Sequence, residues 1–354
     1  MLQRLFIDLR NWRSSGSTGI GQVAHQATLA LLRQTPEKEF ILLAHPEVLS
    51  ELSAENVVPI PCAIGMDSHP KTEWLEQVEI PRLIRRYGAD AYLSYENRVP
   101  LRVSVPCFTW IHDASVFRFP KGHPWRFTAL TRFYMALCRI KAKGLFVPSD
   151  FAAAECSTFV RIPRERIHVA PLGNSGLPFS GHRRQPVKPT LFCVGATNPR
   201  KNLAGLFEAF RLLRERVPNV CLRVTGNPRE WDRLLRMGLQ VPDQVVFLGH
   251  LSDADLAREF LDCTGMVFPS LYEGFGIPLL DAVASHTPVA CSDLPPFREI
   301  LGQEALWFQS DDISSMEQSL FLLATGASPQ PRTKEVFNWD RCAQSMVAAM
   351  AFRN

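Results

Sequence analysis

The sequence predicts an α/β protein made of two doubly wound parallel-sheet domains of the Rossmann-like type. Short apolar runs typical of buried strands alternate with helix-length amphipathic segments along the 354 residues. Strands separated by crossover helices form parallel sheets that are covered on both faces. The alternation lapses only over residues 173–189, which are rich in Gly, Pro and Ser, and a chain of this length suits two domains of about 150–180 residues.

The first half of the chain contains the elements of an N-terminal domain, residues 1–172. We expect strands near residues 4–9, 40–45, 91–95, 106–111, 144–148 and 167–171. We expect helices over residues 20–33, 73–87, 125–142 and 150–160. The Gly- and Pro-rich residues 173–189 are expected to form a linker.

The alternation restarts in the second half and predicts a C-terminal domain, residues 190–337. We expect strands over residues 190–195, 220–225, 245–249, 265–269, 288–292 and 305–308. Helices are expected over residues 201–216, 228–237, 252–262, 277–286 and 295–301, and further helices are expected to finish the chain after the last strand. The last of them, residues 338–354, is predicted to pack back toward the N-terminal domain. Ligands of such sheets bind beyond the carboxyl ends of the strands, which predicts a ligand cleft between the domains.

The composition is that of an ordinary soluble globular protein and excludes several classes. Apolar residues make up 46% and charged residues 21%, and no apolar run approaches the roughly 18 residues that would cross a bilayer. The first ten residues are too short and too charged for a signal peptide, and the nine scattered cysteines form no Cys-x-x-Cys pair. We therefore expect reduced core cysteines, no zinc site and a cytoplasmic location.

The segment from Pro269 to Asp281 is the most informative of the chain. An apolar strand runs into a Gly-rich turn, and a helix opens near Ile277 and Pro278. The first N–H groups of a helix are free to bind an anion, and Glu273 stands beside them with no local partner in the sequence. A carboxylate beside an anion site predicts a ligand that carries both hydroxyl groups and a phosphate.

A second loop, Gly195-Ala-Thr-Asn-Pro-Arg-Lys-Asn202, follows the first strand of the second domain. It places Arg200 and Lys201 at the carboxyl end of that strand, where they could neutralise a diphosphate without a metal. A solvated Arg-Lys pair at the start of a helix is the alternative, and the helix dipole disfavours cations there.

Two motifs of the first domain allow a structural and a functional interpretation. The loop Thr18-Gly-Ile-Gly21 is either a tight turn between a strand and a helix or a place where backbone approaches a phosphate or a sugar. His112-Asp113 ends a strand, and is either structural or able to donate to a sugar hydroxyl or to orient a leaving group.

Residues 114–149 carry seven basic side chains and no acidic one, although the net charge of the whole chain is only +4. Aromatic residues are interleaved with these cations. A basic amphipathic helix over residues 125–142 could lie on an anionic membrane, or its apolar stripe could pack on the sheet with Arg and Lys facing water. No nucleic-acid-binding module is present, so we expect no nucleic-acid partner.

Taken in order, these motifs resemble the retaining glycosyltransferases of family 4, which belong to the glycosyl transferases group 1 and have the GT-B fold. Besides the segments above, the resemblance covers Val147-Pro-Ser-Asp150, Ile167-His-Val-Ala-Pro-Leu-Gly173, Phe247-Leu-Gly-His250 and Thr287-Pro-Val-Ala290. It implies a metal-independent hexosyltransferase without a cofactor. The donor would be a GDP- or UDP-sugar, with mannose from GDP-mannose as the leading candidate. The acceptor would be a glycan or a polyprenyl- or other lipid-linked acceptor of cell-surface polysaccharide synthesis, at or near the inner face of the membrane.

The resemblance also assigns roles to residues. Arg200 and Lys201 would hold the donor diphosphate, Glu273 would bind the donor sugar, and His112 would touch the reacting sugar. Asp281 would hold the ribose hydroxyls, and the base would lie near His250 and Leu251. The remaining substrate-binding positions would be Gly19, Gly21, Asp113, Gly195, Asn198, Gly274, Phe275, Gly276 and Ile277.

This chain departs from the family pattern in two places. Asp281 stands where the family usually has Glu, and Ser285-His286 stands where a small residue and Gly are usual. Two competing functions therefore stay open beside the transferase: a sugar-nucleotide epimerase of the same fold, and a non-catalytic protein that binds nucleotide sugars.

Overall fold

The computed structural model describes residues 2–10, 12, 19–64, 70–120, 124–195 and 197–350. The chain divides into two compact units. Unit 1 comprises Met1–Leu172 with Asn338–Asn354, and unit 2 comprises Gly173–Phe337. The final helix of the chain is thus part of the first unit.

Unit 1 is built on a seven-stranded parallel sheet. Its strands are β1 (Arg4–Asp8), β2 (Glu39–Ala44), β3 (Val57–Pro61), β4 (Ala91–Ser94), β5 (Cys107–Trp110), β6 (Ala142–Val147) and β7 (Ile167–Val169). Their order across the sheet is β3-β2-β1-β4-β5-β6-β7, and β1, β4 and β5 are almost wholly buried because helices cover both faces. The order reverses between β1 and β4, which makes their carboxyl ends the topological switch point of this sheet.

The helices of unit 1 follow the predicted alternation, with local interruptions. They are α1 (Gly19–Gln34), α2 (Pro46–Glu51), α3 (Pro70–Trp74), α4 (Ile80–Arg86), α5 (Ser115–Arg118), α6 (Trp125–Lys141) and α7 (Asp150–Glu155), with the C-terminal helix α14 (Trp339–Met350) packed on α1. The predicted helices 73–87 and 150–160 each contain a π-helical turn, Leu75–Glu79 and Cys156–Val160.

The sequence missed the strand β3 and the short helices α2 and α5. β3 carries Pro59 in its centre, and a proline removes a ladder donor, so the pattern argued against a strand. The strand is tolerated because it forms the edge of the sheet, where one side of its backbone needs no partner.

Unit 2 is a six-stranded parallel sheet with the order β10-β9-β8-β11-β12-β13. Its strands are β8 (Thr190–Cys193), β9 (Cys221–Thr225), β10 (Val245–Gly249), β11 (Gly265–Phe268), β12 (Val289–Ser292) and β13 (Leu306–Phe308). Its helices are α8 (Leu203–Arg216), α9 (Pro228–Arg236), α10 (Asp253–Asp262), α11 (Ile277–Ala284), α12 (Pro295–Leu301) and α13 (Ile313–Ala324). The predicted fold class, two doubly wound parallel sheets, is confirmed.

The segment expected to be a linker, residues 173–189, has no helix or strand but packs on unit 2. Arg183 donates hydrogen bonds to the carbonyls of Phe260, Cys263 and Thr264 at the end of α10, and Phe179 packs edge-on against the Phe260 ring. These contacts fix the segment to the unit that follows it.

Candidate active site

The turn between β11 and α11 depends on a glycine. Gly276 has a φ of +134°, and a Cβ at this position would lie 3.0 Å from the Phe297 ring. No side chain caps α11, and Pro278 stands in its first turn. The turn therefore requires glycine at position 276 and leads directly into the N-terminus of α11, the end of a helix that favours an anion.

Two cations and a hydroxyl surround Glu273. The hydroxyl belongs to Ser270, which corrects the expectation that no partner stands nearby in the sequence. Lys201 Nζ lies 2.8 Å from Glu273 Oε1, and Arg200 Nη1 lies 3.4 Å from Oε2. Ser270 Oγ donates to Oε1 over 2.9 Å. Because the cluster holds two cations and one carboxylate, it keeps a net charge of +1 at the start of α11.

The backbone of the β8–α8 loop sets the position of these cations. Asn198 accepts a hydrogen bond from the Arg200 N–H and caps the single 3₁₀ turn Pro199–Lys201. The Arg200 carbonyl accepts from Leu271 N–H over 2.8 Å, which joins this loop to the turn after β11. Lys201 Nζ lies 4.4 Å from the centre of the Phe268 ring, a cation–π contact that fixes the ammonium group. Ala196 of this loop lies outside the described residues.

Asp281 lies on α11, one turn from its start, and is only 2% exposed. Its Oδ1 accepts from the Ser175 N–H and its Oδ2 from Ser175 Oγ, each over 2.7 Å. Burial raises the pKa of the Asp281 carboxyl to about 6, and the two bonds from Ser175 oppose this rise. A ribose contact of this carboxylate stays a prediction, and Ser175 would have to yield to it.

The second departure from the family pattern, Ser285-His286, fits the local backbone. His286 adopts the left-handed conformation, φ +54°, in which glycine is usual. Ser285 Oγ donates to the Asp281 carbonyl and lies 2.7 Å from Thr287 Oγ1, so the end of α11 is held by side-chain bonds.

The other substrate-binding candidates of unit 2 stand at strand ends. Gly195, φ +64°, follows β8, and Gly274 and Phe275 are buried in the turn after β11. His250 and Leu251 follow β10, which is the edge strand two places from β8. His250 is exposed and Leu251 half-buried.

In unit 1, His112 follows β5 and is held in one tautomer. Its Nε2 lies 2.8 Å from the Tyr95 carbonyl, and since a carbonyl only accepts, Nε2 carries the proton. Burial lowers the pKa of His112, and its ring stacks on Trp110 at 5.6 Å. The neutral ring thus keeps Nδ1 as a hydrogen-bond acceptor, and its Nε2 proton is used by the Tyr95 carbonyl. Of the roles that the sequence left open for His112, donation to a sugar hydroxyl does not fit this tautomer.

The neighbouring candidates have structural surroundings. Asp113 Oδ1 accepts from the Ser115 N–H at the start of α5. Gly19 is exposed and opens α1, whereas Gly21 is buried within that helix and not in a loop. Thr18 lies outside the described residues.

The sequence missed a cluster of buried charges at the switch point of unit 1. Arg10 Nε and Nη2 donate to the two oxygens of Asp8 over 2.8 and 2.7 Å, and Tyr92 Oη donates to Asp8 Oδ2 over 3.1 Å. Both side chains of the ion pair are 0% exposed. The only signal was that Asp8 and Arg10 interrupt an apolar run, which the pattern allowed as a strand end.

A second ion group follows β4 at the same edge. Arg98 lies 2.6 Å from Glu73 and 2.8 Å from Glu76, and it stacks over the Tyr134 ring, whose hydroxyl bonds Glu73. Burial raises the pKa of Glu76 to about 7 and that of Glu96 to about 7. This group joins α3, the β4–β5 loop and α6 through charged hydrogen bonds.

Helix α6 of the basic segment 114–149 exposes apolar side chains. Trp125, Phe133 and Ile140 are 74%, 54% and 72% exposed, and with Ala129 and Ala136 they follow at intervals of four, four, three and four residues along one face. The opposite face, with Tyr134, Met135 and Cys138, is buried. We call the exposed face, residues 125, 129, 133, 136 and 140, the α6 stripe.

The cations of this segment divide into two groups. Arg118 bonds both oxygens of Glu155, and Arg132 donates twice to the Val116 carbonyl. Arg126, Arg139, Lys141 and Lys143 are exposed. Lys121 lies outside the described residues.

Neither a metal-binding cluster nor a membrane-spanning helix occurs among the described residues. No three His, Cys, Asp or Glu side chains in them are grouped as a metal ion would require. None of the helices described is long and apolar enough to cross a bilayer. All nine cysteines are free, and eight are buried.

Comparison with known proteins identifies relatives of both units. Residues 179–328, which make up most of unit 2, match the family model described as glycosyl transferases group 1. The chain is 26% identical over 268 residues to O-antigen chain mannosyltransferase B of Escherichia coli, with 68% of this chain and 69% of the relative covered. It is 26% identical over 212 residues to O-antigen chain mannosyltransferase RfbU of Salmonella typhimurium strain LT2, with 59% and 58% covered.

The structure is similar along its whole length to sucrose-phosphate synthase from Thermosynechococcus elongatus. The TM-score is 0.75 at 17% identity, with 99% of this chain and 98% of that chain covered. The likeness shows the shared fold, which is the GT-B fold of glycosyltransferases.

The buried ion pair of unit 1 allows a test of stability. Asp8→Ala leaves the Arg10 guanidinium buried without its carboxylate, and breaking such a pair costs about 3–5 kcal/mol. We expect a loss of that size in the free energy of unfolding, measured by urea denaturation. Glu55→Ala, at an exposed position of the same unit, is the control and should stay within about 0.5 kcal/mol of wild type. Equal stability of Asp8→Ala and the control would contradict the assignment.

The raised pKa of Asp281 predicts a pH-dependent effect of Asp281→Asn. The pKa of the Asp281 carboxyl is about 6 in the native state, against an ordinary value of 3.8 in an unfolded chain. The native state therefore binds this proton more tightly than the unfolded chain does. Stability from this group is thus present at low pH and is lost as the pH rises toward and through 6. Because the asparagine cannot ionise, the Tm of Asp281→Asn minus the Tm of wild type should be larger at pH 7.5 than at pH 5. Calorimetry at both pH values measures this difference. A difference that is independent of pH would show that the carboxyl is not shifted.

Proposed function

We propose that this chain, whose residues 179–328 match the glycosyl transferases group 1 and whose fold is the GT-B fold, transfers a hexose from a nucleotide sugar to a glycan or lipid-linked acceptor. The observation that carries the proposal is the cluster of Lys201, Arg200 and Glu273 beside the N-terminus of α11. The names of the relatives support mannose as the sugar and the synthesis of a cell-surface polysaccharide such as O-antigen as the setting. GDP-mannose is the donor that we propose from the resemblance of the sequence motifs.

The cations of the cluster would bind the diphosphate of the donor. Lys201 and Arg200 carry two positive charges, and the start of α11 adds roughly half a charge. As the sugar leaves, negative charge grows on the diphosphate, and fixed cations stabilise that charge more in the transition state than in the ground state. The residues present thus supply the positive charge that the departing diphosphate needs, and we propose that they do so without a metal or a cofactor.

Glu273 would accept hydrogen bonds from hydroxyl groups of the donor sugar. It shares its oxygens with two cations and Ser270, which makes it a weak nucleophile. This favours a reaction driven by the leaving group over attack by Glu273, and we propose retention of the anomeric configuration through front-face attack. His112, held neutral with Nδ1 as acceptor, would accept a hydrogen bond from a sugar hydroxyl.

The remaining roles are assigned by position. The base would lie near His250 and Leu251, beyond the carboxyl end of β10. The backbone from Gly274 to Ile277 would line the sugar and the phosphates. The acceptor is assigned to unit 1, where the switch point of the sheet and its buried charges offer polar groups at the carboxyl ends of β1 and β4.

Substitutions in the cluster test this proposal. Lys201→Ala and Glu273→Ala should each lower kcat for mannosyl transfer from GDP-mannose by about 10²-fold or more, since each removes a group that acts on developing charge or on the sugar. Lys188→Ala, an exposed cation of the same unit, is the control and should keep its rate. Near-wild-type rates in either cluster variant would contradict the assignment.

The competing functions give different products in the same assay. An epimerase would convert the nucleotide sugar with no acceptor present, and a non-catalytic protein would bind GDP or UDP without transfer to any acceptor. Binding is measured by thermal shift, where a ligand at 100 times its Kd adds about 2.7 kcal/mol of stability.

We propose further that the α6 stripe lies on an anionic membrane, which would bring a lipid-linked acceptor to unit 1. An aromatic residue stands at one end of the stripe, and the exposed cations Arg126, Arg139 and Lys141 flank it. Apolar side chains bordered by Lys and Arg match an interface of acyl chains and anionic headgroups.

The stripe is tested by liposome co-sedimentation at low salt. The triple variant Trp125→Ser, Phe133→Ser, Ile140→Ser should lose binding to vesicles that contain anionic lipid, because the apolar side chains that would insert between the acyl chains are removed. Arg126→Ser with Arg139→Ser should weaken binding to anionic vesicles only. The matched control Leu212→Ser with Met237→Ser changes exposed apolar side chains of unit 2. If wild type binds no vesicles, α6 is a packed helix only.

A further inference from the structure

The chain passes between its two units twice, and these two crossings are the covalent connections of the units. The first crossing lies between Leu172 and Gly173, and the second between Phe337 and Asn338. In unit 2, a residue close to each crossing contacts another part of the same unit.

Near the first crossing, Ser175, the third residue of unit 2, forms hydrogen bonds within that unit. Its N–H and its hydroxyl bond the two oxygens of Asp281. Residues 174–176 form a turn, in which Asn174 Oδ1 accepts from Gly176 N–H over 3.0 Å and Gly176 has a φ of +75°. A two-point contact to a buried carboxylate fixes both the position and the orientation of this backbone.

At the second crossing, Phe337, the last residue of unit 2, makes an aromatic contact within that unit. Its ring lies 5.8 Å from the ring of Phe275, tilted by 54°. Phe275 is 5% exposed and stands between Gly274 and Gly276 in the turn after β11. The turn that contains Glu273 therefore also contacts the last residue of unit 2, through Phe275.

Both contacts, that of Ser175 with Asp281 and that of Phe337 with Phe275, are made with the same segment of seven residues, 275–281. This segment is the turn and first helical turn to which the proposed function assigns the donor phosphates. An ordinary linker would need no contact with a ligand-binding element, and two independent contacts of different chemistry, a carboxylate clamp and an aromatic pair, converge on it here.

We propose that Asp281 and Phe275 are positioning residues that tie both crossings of the chain to the donor-binding segment. In this assignment Asp281 acts through Ser175 and not on the ribose. The inference rests on the proposed function for the identity of the ligand, and on the contacts of Ser175 and Phe337 for the coupling. A nucleotide bound at residues 274–277 would hold this segment still, and the crossings with it.

The assignment predicts which substitutions act alike. Ser175→Ala removes one of the two hydrogen bonds to Asp281, the bond from the hydroxyl, whereas Asp281→Ala removes both. Both should therefore lower kcat, Asp281→Ala by more, and by about 10-fold or more when misplacement reaches 1 Å. Their Kd values for GDP should stay within about 3-fold of wild type, because neither group touches the nucleotide. Asp281→Asn should restore kcat, since its amide can accept from the Ser175 N–H and donate to Ser175 Oγ.

The experiment combines these rates with hydrogen exchange on the full chain, with and without GDP or UDP. The amide exchange of residues 173–177 and 334–338 is measured by mass spectrometry. We expect nucleotide to slow exchange in both segments of wild type, Asp281→Ala to abolish the effect in residues 173–177, and Phe337→Ala to abolish it in residues 334–338. Ser180→Ala and Val336→Ala, at exposed neighbouring positions, are matched controls and should behave as wild type.

Each outcome decides between the two proposals. A weakening of GDP binding by more than 10-fold in Asp281→Ala, with Ser175→Ala unchanged, would make Asp281 a ribose contact and overturn the inference. Nucleotide binding without any change of exchange at the crossings would also overturn it, while leaving the transferase proposal intact. Slowed exchange at both crossings without sugar transfer would keep the inference and reject the transferase. Failure of GDP and of UDP to bind would reject both.

Discussion

One carboxylate held by two cations organises the donor side of this protein. Glu273 lies between Lys201 and Arg200, and this contact brings together the loops that follow β8 and β11, two neighbouring strands of the sheet. Glycine at position 276 lets the turn pack against the Phe297 ring and lead directly into α11. The excess positive charge of the cluster and the dipole of α11 then point to the same ligand, an anion that carries a sugar.

The second carboxylate of the same segment has a different environment. The Glu273 side chain is 12% exposed and paired with cations, whereas Asp281 is 2% exposed and bonded to a neutral serine. Burial without a cation raises the pKa of Asp281, while its two hydrogen bonds bind the start of unit 2 to α11. The two carboxylates are eight positions apart, and their surroundings suit one to a ligand and the other to the protein itself.

Unit 1 contains most of its buried charge at one edge of its sheet. Asp8, Arg10 and Tyr92 form one group, and Arg98 with Glu73, Glu76 and Tyr134 forms the next. Tyr134 belongs to α6, so the helix that exposes the α6 stripe is bonded on its inner face to the groups at the strand ends. A surface that could meet a membrane and an edge that could bind an acceptor thus share one helix.

The sequence by itself determined the fold class, the order of nearly all strands and helices, and the segments around Arg200, Lys201 and Glu273, because periodicity, glycines and prolines act over a few residues. It missed β3, whose proline is tolerated only at a sheet edge, and it left α6 undecided, because periodicity does not say which face a helix buries. The tertiary structure decided the partners: Glu273 and Arg200 are 73 positions apart, and Ser175 and Asp281 are 106 apart. Side chains so distant along the chain are brought together only by the parallel sheet, so which carboxylate is paired, buried or free to bind a ligand is a property of the fold and not of the local sequence.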